Sequence, residues 1–210
     1  MNLKPNEIYH VYNRGINRQP IFLEKENYYY FLSKVKTFLC PNCEILSYTL
    51  MPNHFHFQVC GNKRSNLPYR RSNRKPRNHI KKKNTIELNL FSWGLQQLLS
   101  SYSRGINHRF QRTGSLFQQN TKVKQTSNES LIDDYSLWCF NYIHNNAVKS
   151  GLVMSPDEYE FTSYNDYLEN KEDSICNIAL GRQLLSLDLN GLFKPGLIDI
   201  PEEILQKIFK

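Results

Sequence analysis

Two histidines one residue apart, His54 and His56, stand in HFHFQV (54–59), a run whose aromatic and β-branched members mark a strand. Alternate residues of a strand share a face. Phe55, Phe57 and Val59 therefore point one way, and His54, His56 and Gln58 the other. Two imidazoles roughly 7 Å apart along a stiff backbone can converge on one metal ion. A second group lies in FNYIHNNAVKSGLV (140–153), where Tyr142 and Asn146 sit four apart on one helical face. A phenol can attack phosphorus, and an amide oxygen can complete a metal site. Each group also has a plain structural explanation. Leu131, Tyr135, Trp138 and Tyr142 share helical spacing, so Tyr142 also fits a core position, and Asn146 suits a helix end.

Tyr102, in SSYSRGINHRF, is the rival phenol, with Asn107 five residues on. Five residues turn a helix by about 500°, so the two side chains diverge by about 140°. That geometry is poor for a shared site and favours Tyr142.

The elements that must carry these residues read in order. EIYHVYN (7–13) alternates as a first strand, and Tyr28, Phe31, Leu32, Val35 and Leu39 give helical spacing over 24–39, which Pro41 ends. EILSYTLM (44–51) and HFHFQV form a hairpin across a tight turn. A helix is expected near 91–110, weakened inside by Gly105, then a strand over 115–125 after Gly114. Ser130 opens a last helix, with Asp133 as a capping-box partner and Gly151 placed to follow its end. The order β-α-β-β-α-β plus a helix is the ferredoxin-like split βαβ pattern, an α+β antiparallel sheet with helices on one face. Residues 155–170 read as a surface turn and short helix, and 171–210 as a C-terminal extension, helical or partner-binding.

Net charge is +8 over 210 residues, which points to a polyanionic partner such as nucleic acid. The charge concentrates in an expected mobile basic insert at 61–86. Between Lys63 and Lys83 lie ten Lys or Arg and no acid, among them Arg70, Arg71, Arg74, Lys75, Arg77, Lys81, Lys82 and Lys83. These are candidate phosphate contacts, against the bland reading of a solvated loop. The five cysteines include one CxxC, Cys40 and Cys43, with no second pair at zinc-ligand spacing; an odd count without a framework fits a reducing cytoplasm. No apolar run approaches the roughly 20 residues of a spanning helix, and the N-terminus lacks the apolar centre of a signal peptide, so no membrane partner is expected.

Five segments, in order over about residues 5–170, resemble one family. MPNHFHF (51–57) is similar to the His-hydrophobic-His motif of HUH single-tyrosine transposases. YHVYNRG (9–15), GSLFQQ (114–119), YIHNNAVKSGLV (142–153) and FTSYNDYL (161–168) resemble the REP-associated and related insertion-sequence group. Ala147 stands where the family commonly has Pro, and QNTK after LFQ is less basic than its usual continuation. The resemblance implies residues 1–170 as catalytic domain and a divalent ion, Mg²⁺ or Mn²⁺, on His54 and His56, with Asn146 as third ligand. It further implies Tyr142 as nucleophile, hairpin-flanked single-stranded DNA as substrate, and a homodimer. The reaction would be transesterification through a 5′-phosphotyrosine link, without ATP. Lys149, Lys122 and Lys124 are then candidate helpers of a phenol whose ordinary pKa is about 10. The competing readings are a non-catalytic nucleic-acid binder, a metal-dependent hydrolase using water, and a replication or conjugation nickase.

Overall fold

Alternating runs become strands and 3.6-periodic runs become helices in the computed structural model, which describes residues 1–70, 88–127 and 135–187. The elements are β1 (Ile8–Arg14), α1 (Lys25–Phe38), β2 (Glu44–Met51), β3 (His54–Cys60), α2 (Leu90–Arg109), β4 (Lys122–Gln125), α3 (Tyr135–Lys149), α4 (Tyr164–Glu169) and α5 (Ile178–Leu184). The sheet runs β2-β3-β1-β4 with every neighbour antiparallel, the ferredoxin-like order expected of the α+β pattern.

Local chemistry sets the boundaries. Asn27, three residues into α1, accepts from the backbone N–H groups of Leu23 and Glu24, while Asn89 caps α2 by accepting from the Ser92 N–H at 2.8 Å. Gly105 does not end α2. Its bare Cα faces the Tyr30 ring, where a Cβ would lie 2.8 Å from the ring, so glycine there allows α1 and α2 to pack closely. Gly151 has φ +68° beyond the end of α3, with Gly151 N–H on Val148 O at 2.9 Å and Leu152 N–H on Ala147 O at 3.0 Å, a Schellman stop at the expected place.

One sheet face carries the aromatic core. Phe31 of α1 meets Phe55 and Phe57 of β3 and Tyr102 of α2, with Phe22 and Phe117 closing the cluster. Tyr102 is fully buried there and its hydroxyl donates to Ile21 O at 2.7 Å. Helices α1 and α2 share this face as expected. Helix α3 lies across the other face, burying Phe140, Ile143 and Ala147 together with polar Ser136, Asn141 and Asn146, so the sheet is covered on both sides rather than one.

Four expectations shift. The strand expected over 115–125 is confined to Lys122–Gln125, because Leu116 and Phe117 are drawn into the core beyond the end of β1. The Asn13 amide holds the crossing segment by donating to Gln118 O and Thr121 Oγ1. Residues 61–69 are not loose: Ser65 is buried, and Tyr69 N–H on Leu88 O and Leu90 N–H on Leu67 O tie the two flanks of the basic segment together. Residues 155–170 are more than surface, since Thr162 bridges Thr49 on the outer edge of β2 and Tyr167 is fully buried. Nor do residues 171–187 stand apart: Cys176 bridges Ile45 and Leu185 enters the core. Arg71, Arg74, Lys75, Arg77, Lys81, Lys82, Lys83, the expected helix start at Ser130 and residues 188–210 lie outside the described residues.

Phe31→Ala should lower stability by about 3–5 kcal/mol in urea unfolding, because it empties the centre of the aromatic cluster. Tyr102→Phe should cost about 1–3 kcal/mol by the same measurement, since the Ile21 carbonyl loses a buried donor.

Candidate active site

The pleat of β3 aims His54 and His56 away from the aromatic core, and the register brings polar partners beside them. On β1, Tyr12 pairs with His56 and Arg14 with His54, while His10 pairs with Gln58. On β4, Lys122 pairs with Tyr12 and Lys124 with His10. The result is a polar sheet face beneath α3. Several of its buried groups are hydrogen-bonded, as burial favours. Gln58 Nε2 donates to Ser136 O at 2.7 Å, Ser47 donates to Gln58 Oε1, and His144 Nε2 meets Ser163 Oγ at 2.8 Å.

His54 sits between two amides. Asn53 Nδ2 donates to Arg18 O at 3.1 Å, which turns Asn53 Oδ1 toward His54 Nδ1 at 2.6 Å. An amide oxygen only accepts, so Nδ1 carries the proton and a neutral His54 holds a lone pair on Nε2. That nitrogen faces Asn146 Oδ1 at 3.2 Å. Two acceptors at this distance are joined by an imidazolium proton or a cation; the alternative is the Asn146 amide turned so that Nδ2 donates to the imidazole. Burial holds the His54 imidazole below its ordinary pKa, offset by the Asn146 contact and reinforced by Arg14, which disfavours the imidazolium. Burial, then His10, His54 and Arg14, hold His56 well below its ordinary value. The His54 and His56 rings are 5.0 Å apart, nearly perpendicular. Two neutral imidazoles and an amide oxygen are a donor set that suits a divalent cation. Among the described residues, no group of three His, Cys, Asp or Glu side chains offers another metal cluster.

Tyr142 comes from α3 in the same chain. Its ring meets His56 edge-on at 5.5 Å and His10 at 6.4 Å. Burial pushes its phenol up to about 12; Asn146 and Arg14 oppose that, and Cys139 and Tyr12 add to it. Lys149, one turn from Asn146, holds its ammonium 5.7 Å from the Tyr142 ring centre. The phenol is thus costly to ionise, and cationic neighbours are the available relief.

These groups line one cavity of about 440 Å³, formed by His54, His56 and Tyr142 with Tyr12, Asn13 and Arg14 of β1 and Gln118, Asn120 and Lys122 beyond it. A second hollow of about 480 Å³ shares Gln118 and Asn120 and runs along α2 past Ser92, Gln96 and Ser103. Of the residues expected from sequence, the structure brings together His54, His56, Tyr142, Asn146 and Lys122. Lys124 is on the same face, half-buried and held below its ordinary pKa by desolvation. Arg70 is exposed and does not line the cavity. Tyr102 is corrected: it lies on the opposite sheet face with its hydroxyl bonded to backbone, so it cannot serve this site. Arg14, Tyr12 and His10 were missed. The alternation of HVYNR carried the signal, since it puts all three on one face, but only the pairing of β1 with β3 says which face that is.

Cys40 and Cys43 do not converge; their thiols contact Ile175 O and Leu39 O respectively, all five cysteines are free, and burial pushes the Cys40 thiol up to about 11. No helix among the described residues is long and apolar enough to cross a membrane.

No family model matches the chain, and no curated protein is similar to it in sequence. A solved structure is similar in fold: a REP-associated tyrosine transposase bound to a REP hairpin, at 13% identity and TM-score 0.56, covering 83% of this chain and 87% of that one. The chain therefore has the fold of a REP-associated tyrosine transposase, the same group its sequence motifs resemble.

Proposed function

We propose that this protein cuts and rejoins single-stranded DNA by transesterification, with Tyr142 as nucleophile and a divalent ion, Mg²⁺ or Mn²⁺, held by His54, His56 and Asn146. The supporting observation is that His54, His56 and Tyr142 line one cavity within one chain, with Asn146 Oδ1 against His54 Nε2. Fold likeness to a transposase seen with a DNA hairpin supports the choice of DNA. The bound ion would supply charge neutralisation at a non-bridging oxygen of the scissile phosphate.

The remaining roles fall to the chain itself. The lone pairs on His54 Nε2 and Asn146 Oδ1 fix where positive charge is welcome. Arg14 and Lys122 line the cavity and attract the phosphate backbone. Tyr142 Oη attacks phosphorus in line, the bond from phosphorus to O3′ breaks, and a 5′-phosphotyrosine link forms. The phenol proton is lost as the leaving O3′ gains one, so the step is balanced. A second 3′-hydroxyl can then reverse it and take the strand, which is why no nucleotide energy source is needed. Asn146 and Arg14 offset the high phenol pKa, and Lys149 lies over the same ring. The strand would continue into the Ser- and Gln-lined hollow along α2, and the basic residues of 63–83 would supply further phosphate contacts. Binding as a homodimer would let two DNA ends be held together.

A denaturing gel with a labelled hairpin-flanked single strand and Mn²⁺ tests this. Wild type and Tyr102→Phe should form a covalent protein–DNA adduct, and Tyr142→Phe should form none while still binding the oligonucleotide. An adduct with Tyr142→Phe would move the nucleophile elsewhere; cleavage without any adduct would favour a water-using hydrolase. Replacing His54 and His56 with Ala, or adding chelator to wild type, should abolish cleavage and leave binding in place. Full cleavage in chelator would remove the ion from the reaction. Binding with neither cleavage nor adduct in wild type would leave a non-catalytic DNA binder.

A further inference from the structure

Behind the His54, His56 and Tyr142 cluster lies a third imidazole with no role in the reading above. His10, in the middle of β1, is fully buried, and His56 on the adjacent strand is 3% exposed. His10 Nε2 and His56 Nδ1 are 2.8 Å apart, with ring planes 22° from parallel. Tyr12 stacks on His10 at 4.6 Å, which restrains its ring.

Only one proton fits between those two nitrogens. If His56 Nδ1 carries it, His56 donates to His10 and keeps a lone pair on Nε2, open to a cation. If His10 Nε2 carries it, neutral His56 has its proton on Nε2 and is closed to one. His54 meets the same requirement through Asn53, whose oxygen can only accept. His56 has instead a partner with two tautomers, and the pair is competent in one of its two arrangements.

We propose that His10 is a positioning residue that accepts the His56 Nδ1 proton and so presents His56 Nε2 to the divalent ion. The inference rests on the proposed metal site. Second-layer acceptors of this kind typically change metal affinity by about 10–100-fold. His10 touches neither DNA nor the reacting atoms in this role; it acts through the orientation and tautomer of His56.

The test uses the full chain without DNA. Mn²⁺ affinity is measured by electron paramagnetic resonance of free Mn²⁺, for wild type, His10→Phe and His10→Gln, with thermal unfolding of each. His10→Phe keeps the ring volume without an acceptor and should weaken Mn²⁺ by about 10–100-fold. His10→Gln restores an acceptor oxygen near the Nε2 position and should recover most of that affinity. Unchanged affinity in a folded His10→Phe, or equal weakening in both variants, would reduce His10 to packing and overturn the proposal. Imidazole ¹⁵N spectra of wild type with Mg²⁺ give an independent reading that holds even if a variant fails to fold. His56 protonated on Nδ1 is expected, and protonation on Nε2 would overturn the proposal. Wild type that binds no Mn²⁺ would sink the metal site itself, and this inference with it.

Discussion

A strand buried on both faces normally carries apolar residues on both, yet β3 carries Phe55, Phe57 and Val59 on one side and His54, His56 and Gln58 on the other. Burying that second row costs several kcal/mol per unpartnered group, so whatever covers it must bring matching polar atoms. Helix α3 does so: Ser136 meets Gln58 near one end and Asn146 meets His54 near the other. Those contacts are ten residues apart, about 15 Å of helix, and Tyr142 lies between them. Discrete hydrogen bonds at both ends, with Phe140 and Ile143 buried between them, therefore set the register of α3 over the sheet.

The opposite face supplies the rigidity that makes such placement meaningful. Phe31, Tyr102, Phe55, Phe57 and Phe117 interlock in edge, tilted and stacked contacts, and a core of that density transmits little slack to the strand it holds. The outer edge of β2 is closed by Thr162 and Cys176, which leaves no free pairing edge there. On the far side β4 is four residues long, and the cavity lies above it, between Lys122 and Arg14. The short strand is thus part of the site: the chain before it is diverted to bury Leu116 and Phe117, and that diversion brings Gln118 and Asn120 to the cavity.

The electrostatics of the cavity follow from the same burial. Imidazoles are held neutral, which frees lone pairs, and the phenol is held protonated until positive charge arrives. A polyanionic strand and a cation would each suit groups at this pocket: Arg14 and Lys122 for the strand, His54 with its Asn146 partner for the cation. Neither half is unusual alone; together they would suit the proposed phosphate with a metal ion on it.

Much of this was legible in the residues. Period-two alternation in HFHFQV separates imidazoles from phenylalanines whatever the sheet, and the i, i+4 spacing of Tyr142 and Asn146 stacks them on any helix, because both are properties of local backbone geometry. Element order and turn residues carried the ferredoxin-like sheet for the same reason. What sequence could not decide was which surfaces meet. That α3 covers the histidine face, that Tyr102 belongs to the core while Tyr142 faces His56, that strand 115–125 shrinks to four residues, and that His10 stands behind His56 are all consequences of pairing between segments 40 to 120 residues apart. Such pairing is settled by the burial and hydrogen bonding of the whole fold, which no single segment encodes.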